Sequence, residues 1–419
     1  MTTANPHNPQ ATQALLQATT AWTIELSAVE RALADGADPD AKTHAGESAL
    51  AKAVLNQNLE CVKALVSAGA DCGASNAVGG HTPLMFAAAL LWLPGIEFLA
   101  PFSDPAHKNH GQSVLDFLVR DDLTQWRSRF DDDFQTKTKA LKILLPLLQC
   151  SGEEWEAVAH VATVANDADL LSRCAKHCDM ASIWSGNPPQ RLLITAASMG
   201  AADALDVLLG AGCDPQKIGA NNETALLAAM RAPQKTSGAA HARWRCIEKL
   251  LPLSDADAKN ASGETPLFIA IAMGDIPCAE LVAKKANPNI LSREGNTALH
   301  DAIINAAERV VQILAPISDL SVIGGDGANA VDLAIHVAVT AKGETVRWRI
   351  LETLICCLSP QAAVAASLKT AMELMPKTAP LMEARELEIT VEGAGVDASL
   401  PTERRSLSEK RQRPPIRSL

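Results

Sequence analysis

The feature that most constrains this chain is an acidic or amide residue that returns at a near-constant interval. Asp38, Asp71 and Asp104 lie 33 residues apart, and Asp255, Asn287 and Asp319 lie 32 apart. Each follows a small or polar residue at the close of an apolar stretch, as in Gly36-Ala37-Asp38-Pro39, Gly69-Ala70-Asp71-Cys72 and Phe102-Ser103-Asp104-Pro105. Asp214 belongs to the same series; the wider gap to Asp255 holds an insertion over Arg231 to Ala242. A fixed interval of this size marks a stack of like units, each too small to bury its apolar face alone.

A second mark keeps step with the first. Units open with Gly46-Glu47-Ser48-Ala49-Leu50, Gly80-His81-Thr82-Pro83-Leu84, Gly111-Gln112-Ser113-Val114-Leu115, Gly263-Glu264-Thr265-Pro266-Leu267 and Gly295-Asn296-Thr297-Ala298-Leu299-His300. Asn222-Glu223-Thr224-Ala225-Leu226 lacks the Gly, and Gly327-Ala328-Asn329-Ala330-Val331 lacks the hydroxyl. Glycine permits a positive φ in the turn before a helix. Ser or Thr at the N-cap accepts a bond from a free N–H of the first turn, and Pro at the first helical position loses no bond. Gly36 and Gly69 suit a left-handed cap at the end of a second helix. Between the marks run two apolar-faced helices, in one unit about Ser48–Asn56 and Leu59–Ala68, with Leu50, Ala53, Val54, Val62, Leu65 and Val66 inward.

These residues resemble the ankyrin repeat, whose pattern is Gly-x-Thr-Pro-Leu-His-x-Ala-Ala followed by a second helix ending Leu-Leu-x-x-Gly-Ala-Asp. Gly80 to Ala88, Gly263 to Ala270 and Gly295 to Ala302 match it best. The resemblance implies an all-α fold: an ankyrin-like α-solenoid of stacked helix-turn-helix repeats with hairpin-like loops, about ten units, some degenerate. The expected organisation is a disordered N-terminus over 1–12, the solenoid over 13–358, C-terminal capping helices over 359–391 and a disordered basic tail over 392–419. A charged insertion over 119–138, with Trp126 and Asp131-Asp132-Asp133, places a kink or break at 119–152. The unit over 153–180 has two helical patterns but no Gly-x-Thr opening, and only His300 fills the family's His position.

Charge narrows the partner. The chain has a formal net charge of −11, and from Val396 onward six basic residues face three acidic ones, so the body is more acidic still. Such a body is a poor match to a phosphate backbone, so nucleic acid is not an expected partner. No stretch has the ~18 consecutive apolar residues of a membrane span, and the N-terminus lacks the pattern of a secretory signal. Ten cysteines in a chain of 419 residues do not make a disulfide scaffold. Most sit in apolar helical patterns (Cys61, Cys246, Cys278, Cys356) and are expected as buried free thiols in a reducing, cytoplasmic setting. With aromatic content at 3% and no Tyr, the core must be built from Ala, Leu, Val and Ile, which lets helices approach closely.

The chain has no phosphate loop, no His-Glu-x2-His and no Gly-x-Ser-x-Gly. Cys174, His177 and Cys178 share a helical face, but a closed zinc site needs four ligands, so packing is the expected role. His107 and His110 flank a hairpin tip and are expected as loop residues. Arg243-Trp244-Arg245 and Arg347-Trp348-Arg349 each begin a second helix after an insertion, and helix-start packing is the reading for both. No cofactor or metal is expected.

The expected function is a non-catalytic protein-interaction module or adaptor, monomeric on its own. The alternatives are a bacterial effector delivered into a host cell and, third, a metal-dependent enzyme. The basic tail suits either a translocation signal or, through Arg413-Pro414-Pro415-Ile416-Arg417 and Arg404-Arg405-Ser406, a polyproline groove or a basophilic kinase. By the resemblance, the residue after each turn Gly faces a concave groove: Glu47, His81, Gln112, Glu223, Glu264 and Asn296. Tip residues before them are His44, Asn109, His110, Asn221, Ser262, Arg293 and Glu294. The excess of Glu over Arg implies a protein partner with a basic patch.

Overall fold

The computed structural model describes residues 7–20, 24–75, 79–119, 134–185, 190–232, 237–340 and 345–357. The expected capping helices over 359–391, the tail, Trp126 and the Asp131-Asp132-Asp133 run lie outside the described residues. The chain forms two compact units, one up to Ser254 and one from Asp255.

Helices come in pairs. In the first unit they are α1 (Pro9–Thr20) and α2 (Leu26–Ala34), α3 (Ala49–Leu55) and α4 (Leu59–Ser67), α5 (Pro83–Ala89) and α6 (Leu93–Leu99), α7 (Asp116–Val119) and α8 (Phe134–Leu144), α9 (Gly152–Val164) and α10 (Ala168–Cys174), α11 (Leu192–Met199) and α12 (Ala202–Gly210), and α13 (Ala225–Arg231) and α14 (Ser237–Leu250). The second unit holds α15 (Pro266–Ala272) and α16 (Ile276–Ala283), α17 (Ala298–Ile304) and α18 (Glu308–Leu314), and α19 (Ala330–Thr340) and α20 (Thr345–Cys357). First helices stack on first helices, as α3 on α5 and α15 on α17, and second on second, as α4 on α6 and α16 on α18. Each unit shows the expected stacking of helix pairs, seven in the first and three in the second among the described residues. The only sheet among the described residues is a hairpin of Trp184–Ser185 with Gln190–Arg191 that leads into α11.

The caps explain where helices start. Ser48 Oγ accepts from Ala51 N–H at 3.1 Å and Thr82 Oγ1 from Met85 N–H at 3.3 Å. Thr224 and Thr297 do the same for α13 and α17. Two openings depart from the expectation. Thr265 makes no side-chain cap bond, and the Ser113 hydroxyl instead donates to Asp116 Oδ2 at 2.9 Å. Where the turn glycine is missing, Asn222 takes the left-handed conformation with φ +55, which Asn tolerates better than most residues. Inward positions match the pattern: Leu50, Ala53, Val54, Val62 and Leu65 are buried, while Val66 is half-buried.

The periodic acidic residue has a structural task. Its side chain folds back onto the backbone two residues on, so that Asp40 N–H donates to Asp38 Oδ1 at 3.0 Å and Asp257 N–H to Asp255 Oδ1 at 2.9 Å. These are Asx turns. The next polar residue then reaches the following repeat: Asp71 N–H donates to Asp40 Oδ1 at 2.7 Å, Asn287 N–H to Asp257 Oδ1 at 2.8 Å and Asp319 N–H to Asn289 Oδ1 at 2.8 Å. The same turn at Asp179, which accepts from Ala181 N–H at 3.1 Å, fixes the register of the degenerate α9–α10 repeat. That repeat starts with a reciprocal cap between Ser151 and Glu154 in place of Gly-x-Thr. His300 bridges repeats as well. Its Nε2 lies 3.2 Å from the Ala328 carbonyl, which can only accept and so receives a ring N–H, and its Nδ1 lies 2.7 Å from Thr297 Oγ1.

Candidate partner-binding surface

Most hairpin loops that precede a first helix share the same chemistry: an Asx turn, an extended pair of residues, a turn and the N-cap. Short bridges close them, Lys42 to Ser48 and Ile323 to Asn329. Lysine ties neighbouring loops together, with Lys42 Nζ donating to the Ser75 carbonyl at 3.1 Å and Lys259 Nζ to the Leu291 carbonyl at 2.8 Å.

The residues expected to face a partner divide into two sets. His44, His110, Asn221, Ser262, Arg293 and Glu294 are exposed at the loop tips, and Asn109 is half-buried there. Every residue that follows a turn glycine or its substitute is half-buried and engaged inside its own unit. Glu47 Oε2 pairs with Lys52 Nζ at 2.6 Å and Glu223 Oε2 with Arg231 Nη1 at 3.3 Å. Glu264 Oε2 accepts from Asn260 Nδ2 at 2.9 Å. Asn296 Nδ2 donates to Asp301 Oδ1 at 3.3 Å, and its Oδ1 accepts from Gly325 N–H at 3.0 Å. Gln112 accepts from and donates to Asn109 through their backbones, at 2.8 Å each way. His81 sits edge-on to Phe86 and Phe117, with ring centroids 5.7 and 5.3 Å away. Burial, and then the neighbouring His110, lower the pKa of His81. Burial likewise raises the carboxyl pKa of Asp301.

Sequence reasoning passed over another register position. Four residues after each acidic mark stand Lys42, Ser75, Lys108, Ile183, Ile218, Lys259, Leu291 and Ile323. Ile218, Leu291 and Ile323 are exposed apolar side chains, Ile323 at 63%. The register is a partial signal for them: its lysines lie at the loop surface, while Ile183 at the same position is buried.

The remaining candidates are packing residues. Cys174 is fully buried, and that burial pushes its thiol up to about 12. The Cys178 thiol donates to the Cys174 carbonyl, and the exposed His177 ring stacks on Trp155 at 4.3 Å. Among the described residues no group of three or more His, Cys, Asp or Glu is arranged to hold a metal ion. His107 is half-buried. The two Arg-Trp-Arg segments share a role: Arg245 reaches Asp203 on the preceding second helix at 2.9 Å, and Arg349 reaches Glu308 at 3.6 Å. Trp348 is buried and Trp244 half-buried. All ten cysteines are free thiols. One departs from expectation, since Cys356 near the end of α20 is exposed rather than buried; apolar patterning alone did not show which face of that helix it takes. No helix among the described residues is long and apolar enough to cross a membrane.

The family model for ankyrin repeats (3 copies) matches residues 15–110 and 237–322. No curated protein matches the chain. Among solved structures, an ankyrin repeat domain from Acinetobacter baumannii AYE is 19% identical, with a TM-score of 0.40 over 47% of this chain and 96% of that one. The human ASB11 ankyrin repeat domain is also 19% identical, with a TM-score of 0.37 over 57% of this chain and 98% of that one.

Proposed function

We propose, starting from the premise that this chain belongs to the ankyrin-repeat family, that it is a non-catalytic adaptor which holds a partner protein on its hairpin tips. The ankyrin repeat is a protein-interaction fold. One observation carries the reading: exposed polar residues recur at repeat tips within each unit, His44, His110 and Asn221 in the first and Ser262, Arg293 and Glu294 in the second. Within a unit, stacked repeats turn such recurrence into a binding surface. Glu47 and Glu223 are already met by Lys52 and Arg231 and Glu264 accepts from Asn260, so attraction to a basic patch on the partner rests on the exposed Glu294. Ten free thiols, six of them buried, suit an adaptor that works in a reducing compartment.

The test is co-purification from native extract with the intact chain, beside a variant carrying Asn221→Lys, Ser262→Lys and Glu294→Lys. These side chains are exposed; Lys at the left-handed Asn221 position, φ +57, costs about 1 kcal/mol, and circular dichroism checks that the variant keeps its fold. A protein retained by the natural chain and lost from the variant is the expected result. An identical set of proteins on both sinks the choice of surface.

A further inference from the structure

The tips of the second unit differ from a generic polar surface in a way that names the chemistry of what they hold. Leu291 and Ile323 occupy the same register position 32 residues apart, with exposures of 41% and 63%. Three residues further along each loop stand Glu294 and Asp326, both exposed. Two successive repeats therefore each present one apolar and one acidic side chain in matched order. The loops that carry them are locked together. Lys259 Nζ holds the Leu291 carbonyl at 2.8 Å, and Asn296 Oδ1 holds Gly325 N–H at 3.0 Å. A Cβ on Gly325 would stand 1.9 Å from the Glu294 carbonyl oxygen, so these two tips are in contact. Among the described residues neither Glu294 nor Asp326 is in an ion pair. The loop segments 259–264, 291–296 and 323–329 hold two cations, Lys259 and Arg293. The first lies on the Leu291 carbonyl, and the second is an exposed neighbour of Glu294.

We propose that this double row binds a peptide segment of the partner in the polyproline II conformation, one carrying apolar side chains three residues apart with a Lys or Arg beside each. The inference rests on the adaptor reading and adds the partner's chemistry to it. Adjacent helices in a stack lie about 8–10 Å apart, and one turn of a polyproline II segment, three residues, spans about 9 Å and returns the side chain to the same face. One apolar side chain of such a segment therefore falls on each repeat, at Leu291 and at Ile323. Its basic side chains fall along Glu294 and Asp326, where charge pairing sets orientation and approach rate. Burial of two apolar side chains at this row supplies the affinity.

The probe is a labelled synthetic peptide, (Leu-Lys-Thr)4, titrated into the full chain by fluorescence anisotropy. Saturable binding that weakens with salt is expected, and (Ser-Lys-Thr)4 and (Leu-Glu-Thr)4 are expected not to bind. Leu291→Ser and Ile323→Ser should each weaken binding about tenfold, while Asp326→Asn should weaken it less and flatten the salt dependence. All three positions are exposed, so the variants fold. Equal binding of (Ser-Lys-Thr)4, or binding untouched by both Ser variants, overturns the proposal. Concentration-dependent self-association abolished by Ile323→Ser also overturns it, in favour of a second copy of the chain. The partner captured from native extract separates this inference from the adaptor reading. If it still binds the Leu291→Ser, Ile323→Ser double variant but not the charge-altered tips, the peptide row is wrong and the adaptor stands. If it is indifferent to both sets, the tip surface itself fails.

Discussion

Second helices end in two ways in this molecule, and the contrast shows what the repeat requires. At Gly69 and Gly212 the chain turns left-handed, with φ +95 and +85. The next amide reaches five residues back, Ala70 to Leu65 and Cys213 to Leu208, at 3.0 Å each. This is the glycine cap of a Schellman turn. At Ala100-Pro101-Phe102-Ser103-Asp104, Leu251-Pro252-Leu253-Ser254-Asp255 and Ala315-Pro316-Ile317-Ser318-Asp319 a large apolar residue stands in glycine's place. There the chain stays right-handed. Ser318 N–H reaches only four residues back, to Leu314 at 2.9 Å, and Ala100–Phe102 tightens into a 3-10 turn. Both endings deliver the Asp to the same Asx turn: Gly73 N–H donates to Asp71 Oδ1 at 2.8 Å, and Ala106 N–H to Asp104 Oδ1 at 2.9 Å. The repeat thus depends on the Asx turn, and the glycine is one of two ways to reach it.

The largest effect should come where no second way exists. At Gly325 a Cβ would lie 1.9 Å from the Glu294 carbonyl oxygen, a backbone atom of the preceding loop. Gly325→Ala must therefore push two loops apart, and overpacking of this kind costs about 1–3 kcal/mol. Gly327→Ala, three repeat-marks of the same loop type notwithstanding, meets nothing within 4 Å and carries only the strain of φ +84. Hydrogen exchange in α17 and α19 should show the first variant losing more protection than the second. Equal losses would mean that the loops separate freely.

Next in size is an exchange of the two endings. Gly69→Ala meets nothing within 4 Å, so its cost is the left-handed conformation alone, about 1 kcal/mol. Phe102→Gly should also destabilise, by about 0.5–1 kcal/mol, since a right-handed site gains nothing from glycine's freedom. It loses as well the ring contact with Phe98 at 5.5 Å. Urea unfolding of the two variants checks the pair. A stabilised Phe102→Gly would show that the two endings are one geometry with different residues.

This contrast also explains what was legible in the sequence. The acidic mark was visible because both endings keep it, and the helix openings were visible because Ser48, Thr82, Thr224 and Thr297 each make the cap bond their position suggests. The α9–α10 repeat was obscure because it keeps the Asx turn at Asp179 but neither the glycine nor the Gly-x-Thr opening. At the candidate surface, spacing located the loops but not the direction of each side chain. Glu47 and Glu223 looked available, yet each is drawn to a cation on the helix that follows it, Lys52 and Arg231. Leu291 and Ile323 were passed over because an apolar residue near a helix looks like core. The loop register is shared with the exposed Lys42 and Lys259 but also with the buried Ile183, so it locates the loop without fixing the direction of the side chain.

The corner between the two helices of a repeat offers the smallest and cleanest test of glycine against its substitutes. Gly274 and Ala306 make the same turn in neighbouring repeats. Gly274 N–H reaches Ile271 at 3.0 Å and Asp275 N–H reaches Ala270 at 3.0 Å; Ala306 and Ala307 reach Ile303 and Ala302 at 3.1 and 2.9 Å. Both residues are left-handed, at φ +65 and +53. Alanine at this φ is strained where glycine is not, by about 1 kcal/mol, partly offset because glycine also loosens the unfolded chain. Gly274→Ala should therefore lower stability by up to about 1 kcal/mol, and Ala306→Gly should raise it by a few tenths to about 1 kcal/mol. Nothing lies within 4 Å of a Cβ at Gly274, so no clash confuses the first measurement. Urea midpoints of the two variants and of the double variant, which should fall near the natural chain, decide the matter. If Ala306→Gly destabilises, the alanine methyl contributes packing that outweighs its strain, and the corner, unlike the second-helix ending, has adapted to its side chain.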